Sequence, residues 1–170
     1  MIYPIVKYPE SVLLKKAEPV TEFNADLKKL ADDMFESMYA AEGIGLAAPQ
    51  IGISKRMYVV DLSVGKDPEQ RLVLINPEII EKEGKQTEEE GCLSLPDIRD
   101  KVNRHYRVRM RAQDVDGTWF EVEGEELLSR AFQHELDHLD GILFIDRLSR
   151  LKRDLILRRI RKLQKTGDWS

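Results

Sequence analysis

HYRVRMRAQDVDGTWFEVEGEELLSRAFQHELDHLDG, residues 105–141, carries a strand period followed by a helix period, and the two together set the fold. Tyr106, Val108, Met110 and Ala112 alternate with His105, Arg107, Arg109 and Arg111. That period of two predicts a strand with one buried face and one wet face. Asp116-Gly117 is a tight-turn signal, and Trp119–Val122 follows as the partner strand. The pattern then changes to a helical one over Leu127–Leu139, which Gly141 stops.

Upstream, residues 10–16 suggest a short helix. Asn24 can cap a second helix over 25–41, with Leu27, Leu30, Ala31, Met34 and Met38 at helical spacing and Gly43-Ile44-Gly45 ending it. Met57–Leu62 and Leu72–Ile75 are short apolar runs halted by turn-forming residues, and read as strands. Downstream, Ser149 can cap a last helix with an apolar stripe through Leu151, Leu155, Ile160 and Leu163. Strands in an antiparallel-looking series, with helices first, late and last, predict an α+β fold rather than alternating βαβ units. No repeat or low-complexity linker interrupts the chain, so one domain over 1–170 with a helical tail is the simplest parse.

The 170 residues, 42% apolar and 34% charged, suit a globular chain with a sizeable core and exclude disorder. No apolar run approaches the roughly 20 residues of a bilayer span, and no secretory leader is visible, so no membrane contact is expected. The one cysteine, Cys92, excludes an internal disulfide and fits a reducing cytoplasm. Charge is uneven. Arg147 to Lys165 holds nine Lys/Arg against Asp154 alone, so this basic helix, 147–165, carries +8 and the rest −12 of a net −4. An anionic partner for the tail alone is the natural inference.

Chemistry concentrates at His134-Glu135-Leu136-Asp137-His138. On a helix, residues four apart share a face, so both imidazoles can reach one ion, with Glu135 beside them as a base. A catalytic site of this kind needs a third protein ligand and an open position. Downstream candidates fail: Phe144 stands where one protease class has its third histidine, and no glutamate follows Glu135. Upstream lie His105, on the charged face of its strand, and Cys92. Cys92 is the better ligand, because Glu90-Gly91-Cys92-Leu93-Ser94 precedes Pro96 near an irregular turn and a thiolate binds divalent transition metals strongly. Such a site can still lower the pKa of a bound water toward neutrality. A zinc endopeptidase shares the helix motif but not this ligand set. A nucleic-acid-binding module with a structural metal, the other alternative, rests on the basic tail alone.

Three segments, Gly43-Ile44-Gly45-Leu46-Ala47-Ala48-Pro49-Gln50, Glu90–Ser94 and Gln133–His138, resemble the three signature motifs of the peptide deformylases, in that family's order. Asn76-Pro77 and Asp140-Gly141 also fit its bacterial members, and the resemblance covers nearly the whole chain. It implies antiparallel sheets packed around a central helix carrying HExxH, and hydrolysis of the N-formyl group from the formylmethionine of nascent proteins. It implies that Cys92, His134 and His138 hold the metal. Glu135 is then the base and later the acid, while Gln50 and the Leu93 backbone N–H donate to the oxyanion. Gly45 would lie beside the substrate backbone. Ile44, Leu127 and Ala131 would line the methionine pocket with Arg130 at its edge, and Arg99 would contact the peptide. Glu90 and Arg104 would meet near the pocket. The family's metal is iron(II), with nickel, cobalt or zinc as replacements. Its C-terminal helix can dock on the ribosome; no DNA contact is implied.

Overall fold

The computed structural model describes residues 1–169; Ser170, the last residue of the expected domain, lies outside the described residues. Among the described residues there are three α-helices: α1 (Ala25–Ala40), α2 (Glu126–Leu139) and α3 (Arg150–Thr166). The strands are β1 (Gly45–Ala47), β2 (Met57–Val60), β3 (Leu72–Glu83), β4 (Gln86–Cys92), β5 (Leu95–Arg104), β6 (Arg107–Gln113) and β7 (Trp119–Glu125). These strands pair antiparallel, and an isolated parallel bridge joins Glu18 to Lys55 outside them. One sheet has the order β1-β2-β3-β6-β7, and β4-β5 is a separate hairpin. This is the α+β architecture expected from residues 105–141, with α2 against the inner face of the larger sheet.

The alternation in β6 sorts its faces as read. Val108, Met110 and Ala112 are fully buried and pack with Phe132 and Leu139 of α2. Arg107, Arg109 and Arg111 form ion pairs on the wet face with Glu78, Glu81, Glu83, Glu121 and Glu123. Tyr106 departs from the reading. It precedes the strand and is exposed, its hydroxyl donating to Glu126.

Helix α1 is capped by Asn24, whose Oδ1 accepts from the Leu27 N–H at 3.1 Å. The helix ends at Ala40, before the glycines, and the left-handed residue in the exit turn is Glu42 (φ 59°). The predicted strand 72–75 does not stop at Asn76-Pro77. Asn76 takes a left-handed conformation (φ 50°) within a register shift, and β3 continues to Glu83. Its side chain holds the bulge: Oδ1 accepts from Val20 N–H, and Nδ2 donates to Val20 O and Gln113 Oε1. A bulge lets a turn-forming residue sit within a strand.

The apolar stripe expected on α3 holds at Ile160, which is fully buried, and is corrected at its start. Leu151 and Leu155 are exposed, whereas Ile156, Leu157 and Ile160 pack against Leu95, Ile98, Val102 and the 144–145 turn. The buried face is set by where the chain enters the helix. Ser149 caps α3, and Arg153 bonds Asp146 at the helix entry.

Candidate metal centre and active site

Helix α2 places His134 and His138 one turn apart, their rings 5.0 Å between centroids. The β4–β5 hairpin brings Cys92 to them from another layer. Cys92 Sγ lies 3.3 Å from His138 Nε2, and ligand atoms of Cys92, His134 and His138 all lie within 4.8 Å of one another. His105 is not part of the cluster; its carbonyl instead accepts from Gln86, Ser129 and Gln133, tying β4 and α2 together.

The electrostatics suit a cation. Burial holds the His138 imidazole well below its usual pKa, which leaves it neutral with a free lone pair. Burial acts the same way on His134, but the contact with Cys92 and the charges of Glu135 and Glu90 prevail and push it well above its usual value. A position that so strongly attracts a proton attracts a metal ion for the same reason. Burial opposes ionisation of Glu90, yet His134 and Arg104 pull it down to about 2. Glu90 is therefore an acceptor only, and the proton between Glu90 Oε1 and His134 Nδ1 (3.0 Å) belongs to the histidine. That leaves His134 Nε2 as the nitrogen whose proton a metal ion would displace, in the carboxylate–histidine arrangement that orients metal ligands.

Glu135 is 5% exposed, and its Oε1 has no hydrogen-bond partner among the described residues. Burial pushes its carboxyl up to about 7, suited to exchanging a proton near neutral pH. Gln50 is buried, and its Oε1 accepts from Ala47 N–H at 3.0 Å. The amide nitrogen must then face the other way, 3.6 Å from Cys92 Sγ and 3.3 Å from Ser94 Oγ. Leu93, whose N–H follows the thiol, lies in the hairpin turn.

These groups open on a cleft of 640 Å³ walled by Ile44, Leu127, Arg130 and Ala131, with Gly45 and Arg99 along its length. Gly45 packs on Glu135: a Cβ there would lie 2.6 Å from Glu135 Oε2. Arg130 donates to Gln86 Oε1, and Arg99, largely exposed, pairs with Glu89 at 2.7 Å. All the residues expected at the site thus converge on this cleft or its metal corner. Sequence reasoning missed three neighbours: Ser94 beside Gln50, and Asp137 and Arg147, which extend the Glu90–Arg104 pair. Asp137 sits inside the helix motif, but no local signal shows that it turns inward toward Arg104.

Fold and cluster define the class: an α+β hydrolase with a candidate transition-metal centre on its core helix. Residues 2–154 match the polypeptide deformylase family model. A peptide deformylase of Acidobacterium capsulatum is 70% identical over 169 residues, 99% of either chain. The crystal structure of a peptide deformylase from Legionella pneumophila superposes with a TM-score of 0.91 at 43% identity, covering 100% of this chain and 99% of that one. The Thermus thermophilus peptide deformylase gives 0.87 at 45% identity, over 95% and 94%. The chain belongs to the polypeptide deformylase family.

Proposed function

We propose that this chain hydrolyses the formamide at the N-terminal formylmethionine of nascent proteins, releasing formate and a free α-amine. The observation that carries the reading is the meeting of the Cys92–His134–His138 cluster with the unpaired Glu135 carboxylate and the Gln50 amide in one cleft.

The donor set of one thiolate and two imidazoles fits a divalent transition ion, and iron(II) is the ion we assign, with nickel, cobalt or zinc able to replace it. When bound, the ion supplies Lewis acidity and an activated water. Cys92 and the His134 and His138 Nε2 atoms would hold it. Glu135 takes a proton from the attacking water and returns it to the leaving amine nitrogen, so the C–N bond breaks with a neutral amine departing. Gln50 Nε2–H and the Leu93 N–H donate to the oxygen that gains charge, and both are neutral donors whose benefit grows as that charge appears.

The topology favours an extended peptide. Among the described residues, β1 pairs only with β2, and β4 only with β5, so two unpaired strand edges face the cleft through Gly45 and Gly91. A strand inserted there meets backbone donors and acceptors on both sides. Ile44, Leu127 and Ala131, with Arg130 at the edge, would take the methionine side chain, and Arg99 would reach the peptide backbone beyond it.

We place this activity in the cytoplasm, at nascent chains, as one domain in which α3 docks the enzyme on the ribosome. No helix of the described residues is long and apolar enough to cross a membrane. The exposed Leu151 and Leu155 beside Arg158, Arg159, Arg161 and Lys162 support that docking. The deciding experiment is Glu135→Gln. It should retain the metal yet lose about 10²–10⁴-fold in turnover of formyl-Met peptides. Near-normal turnover in the metal-loaded variant removes Glu135 from the mechanism.

A further inference from the structure

A continuous chain of charge runs from the metal corner to the start of α3. His134 Nδ1–H donates to Glu90 Oε1 at 3.0 Å. Arg104 holds Glu90 with two bonds of 2.9 Å, from Nε and Nη2. Its third nitrogen, Nη1, donates to Asp137 Oδ2 at 2.6 Å. Arg147 closes the chain on Asp137 through Nε (3.1 Å) and Nη2 (2.7 Å). Glu90, Arg104 and Asp137 are buried, whereas the Arg147 side chain is 46% exposed. Arg147 ends the Phe144–Arg147 turn that leads into α3.

We infer that Arg147 is a positioning residue for the metal-ligand set, acting on His134 through Asp137, Arg104 and Glu90. The inference rests on the proposal that Cys92, His134 and His138 hold an ion. Its physical basis is charge balance in a buried network. Two carboxylates are matched by two guanidiniums, and each guanidinium makes more than one bond. Without Arg147, Arg104 alone must serve both buried carboxylates. It is drawn toward Asp137, and its bidentate hold on Glu90 loosens. Glu90 is the group that orients the His134 ring, so the ligand becomes less well aimed. A half-exposed ion pair that merely joined two elements would contribute a little stability and leave the ligand unaffected. Arg153 supplies that comparison within the same region. It pairs with Asp146 at 2.8 Å, is 41% exposed, and has no link to Glu90.

The test uses the full chain loaded with cobalt(II), reading stoichiometry, the visible absorption of the ion and the rate of its loss to a chelator. Arg147→Leu should fold, bind one cobalt, show a shifted visible band and release the ion about three- to tenfold faster. That is below the roughly 10–100-fold typical for a direct partner of a ligating histidine. Arg147→Lys should recover part of the loss, and Arg153→Leu should match the parent protein. Should Arg147→Leu not fold, Arg147→Gln carries the same expectation. Release at the parent rate from the Arg147 variant overturns the inference, as does equal acceleration by Arg153→Leu. If the parent protein takes up no cobalt, the metal-centre reading itself falls, and the inference with it.

Discussion

Replacing Gly45 with alanine adds one methyl group to the edge strand of the cleft, and the structure states what that group meets. The new Cβ would lie 2.6 Å from Glu135 Oε2, 3.1 Å from its Cδ and 3.2 Å from its Cγ. Ordinary contact begins near 3.4 Å, so the carboxylate must retreat by about 0.8 Å. Gly45 is a strand residue without a positive φ, so alanine strains no backbone there. Retreat is costly because Glu135 is buried on a helix that also carries both histidines. A misplacement of about 1 Å in a catalytic group can cost about 10²-fold in rate, whereas one added methyl in a packed region typically costs about 1–3 kcal/mol of stability. The Gly45→Ala enzyme should therefore stay folded, retain its metal, and lose on the order of 10²-fold in kcat/KM on a formyl-Met peptide. The assay is formate release by metal-quantified protein, with thermal melting in parallel. Activity within about twofold of the parent in a folded, loaded variant would refute the claim that this contact sets the position of Glu135.

The buried pair makes a second prediction. Glu90→Gln and Arg104→Met should each cost about 3–5 kcal/mol by stranding a charge, and their combination should fall short of the sum by about 1–3 kcal/mol; additivity in urea unfolding would remove the coupling. Burial, and the hydrogen bond that its hydroxyl donates to Asp61, push the Tyr39 phenol up to about 12 from 10.0. The unfolded phenol therefore ionises first. Its contribution to stability is whole below pH 10 and is lost as pH rises from 10 toward 12, so Tyr39→Phe should flatten that part of the stability profile. Cys92→Ala should strip the metal, read by elemental analysis, and full metal retention would exclude the thiolate as a ligand. The double variant Arg158→Glu, Arg159→Glu changes exposed charges and leaves the packed Ile160 face of α3 intact. Short formylated peptides should still be processed, while salt-sensitive co-sedimentation with ribosomes falls; unchanged co-sedimentation removes the docking proposal.

Several features were legible in the sequence because local geometry alone sets them. A period of two sorted Val108, Met110 and Ala112 from three arginines, and a period near 3.6 put His134 and His138 on one face, since both follow from backbone repeat distances. Asn24 and Ser149 could be read as caps because a cap is a bond within three residues. The β4–β5 hairpin was not legible. Its strands are rich in Glu, Lys, Asp and Arg, and among the described residues Leu95, Ile98 and Val102 are their only fully buried apolar side chains. Nor was the length of β3, because the bulge at Asn76 is held by Val20 and Gln113, 56 and 37 residues away. The covered face of α3 was legible only at Ile160, for a similar reason: Leu151 is as apolar as Ile156, and only the body the helix docks on decides which is covered. The site divides along the same line. Two ligand atoms and the candidate base come from five consecutive residues, which a helix brings together without help. Cys92, Gln50, Arg104 and Arg147 come from distant segments, and chain folding alone sets the distances at which their charges and lone pairs meet.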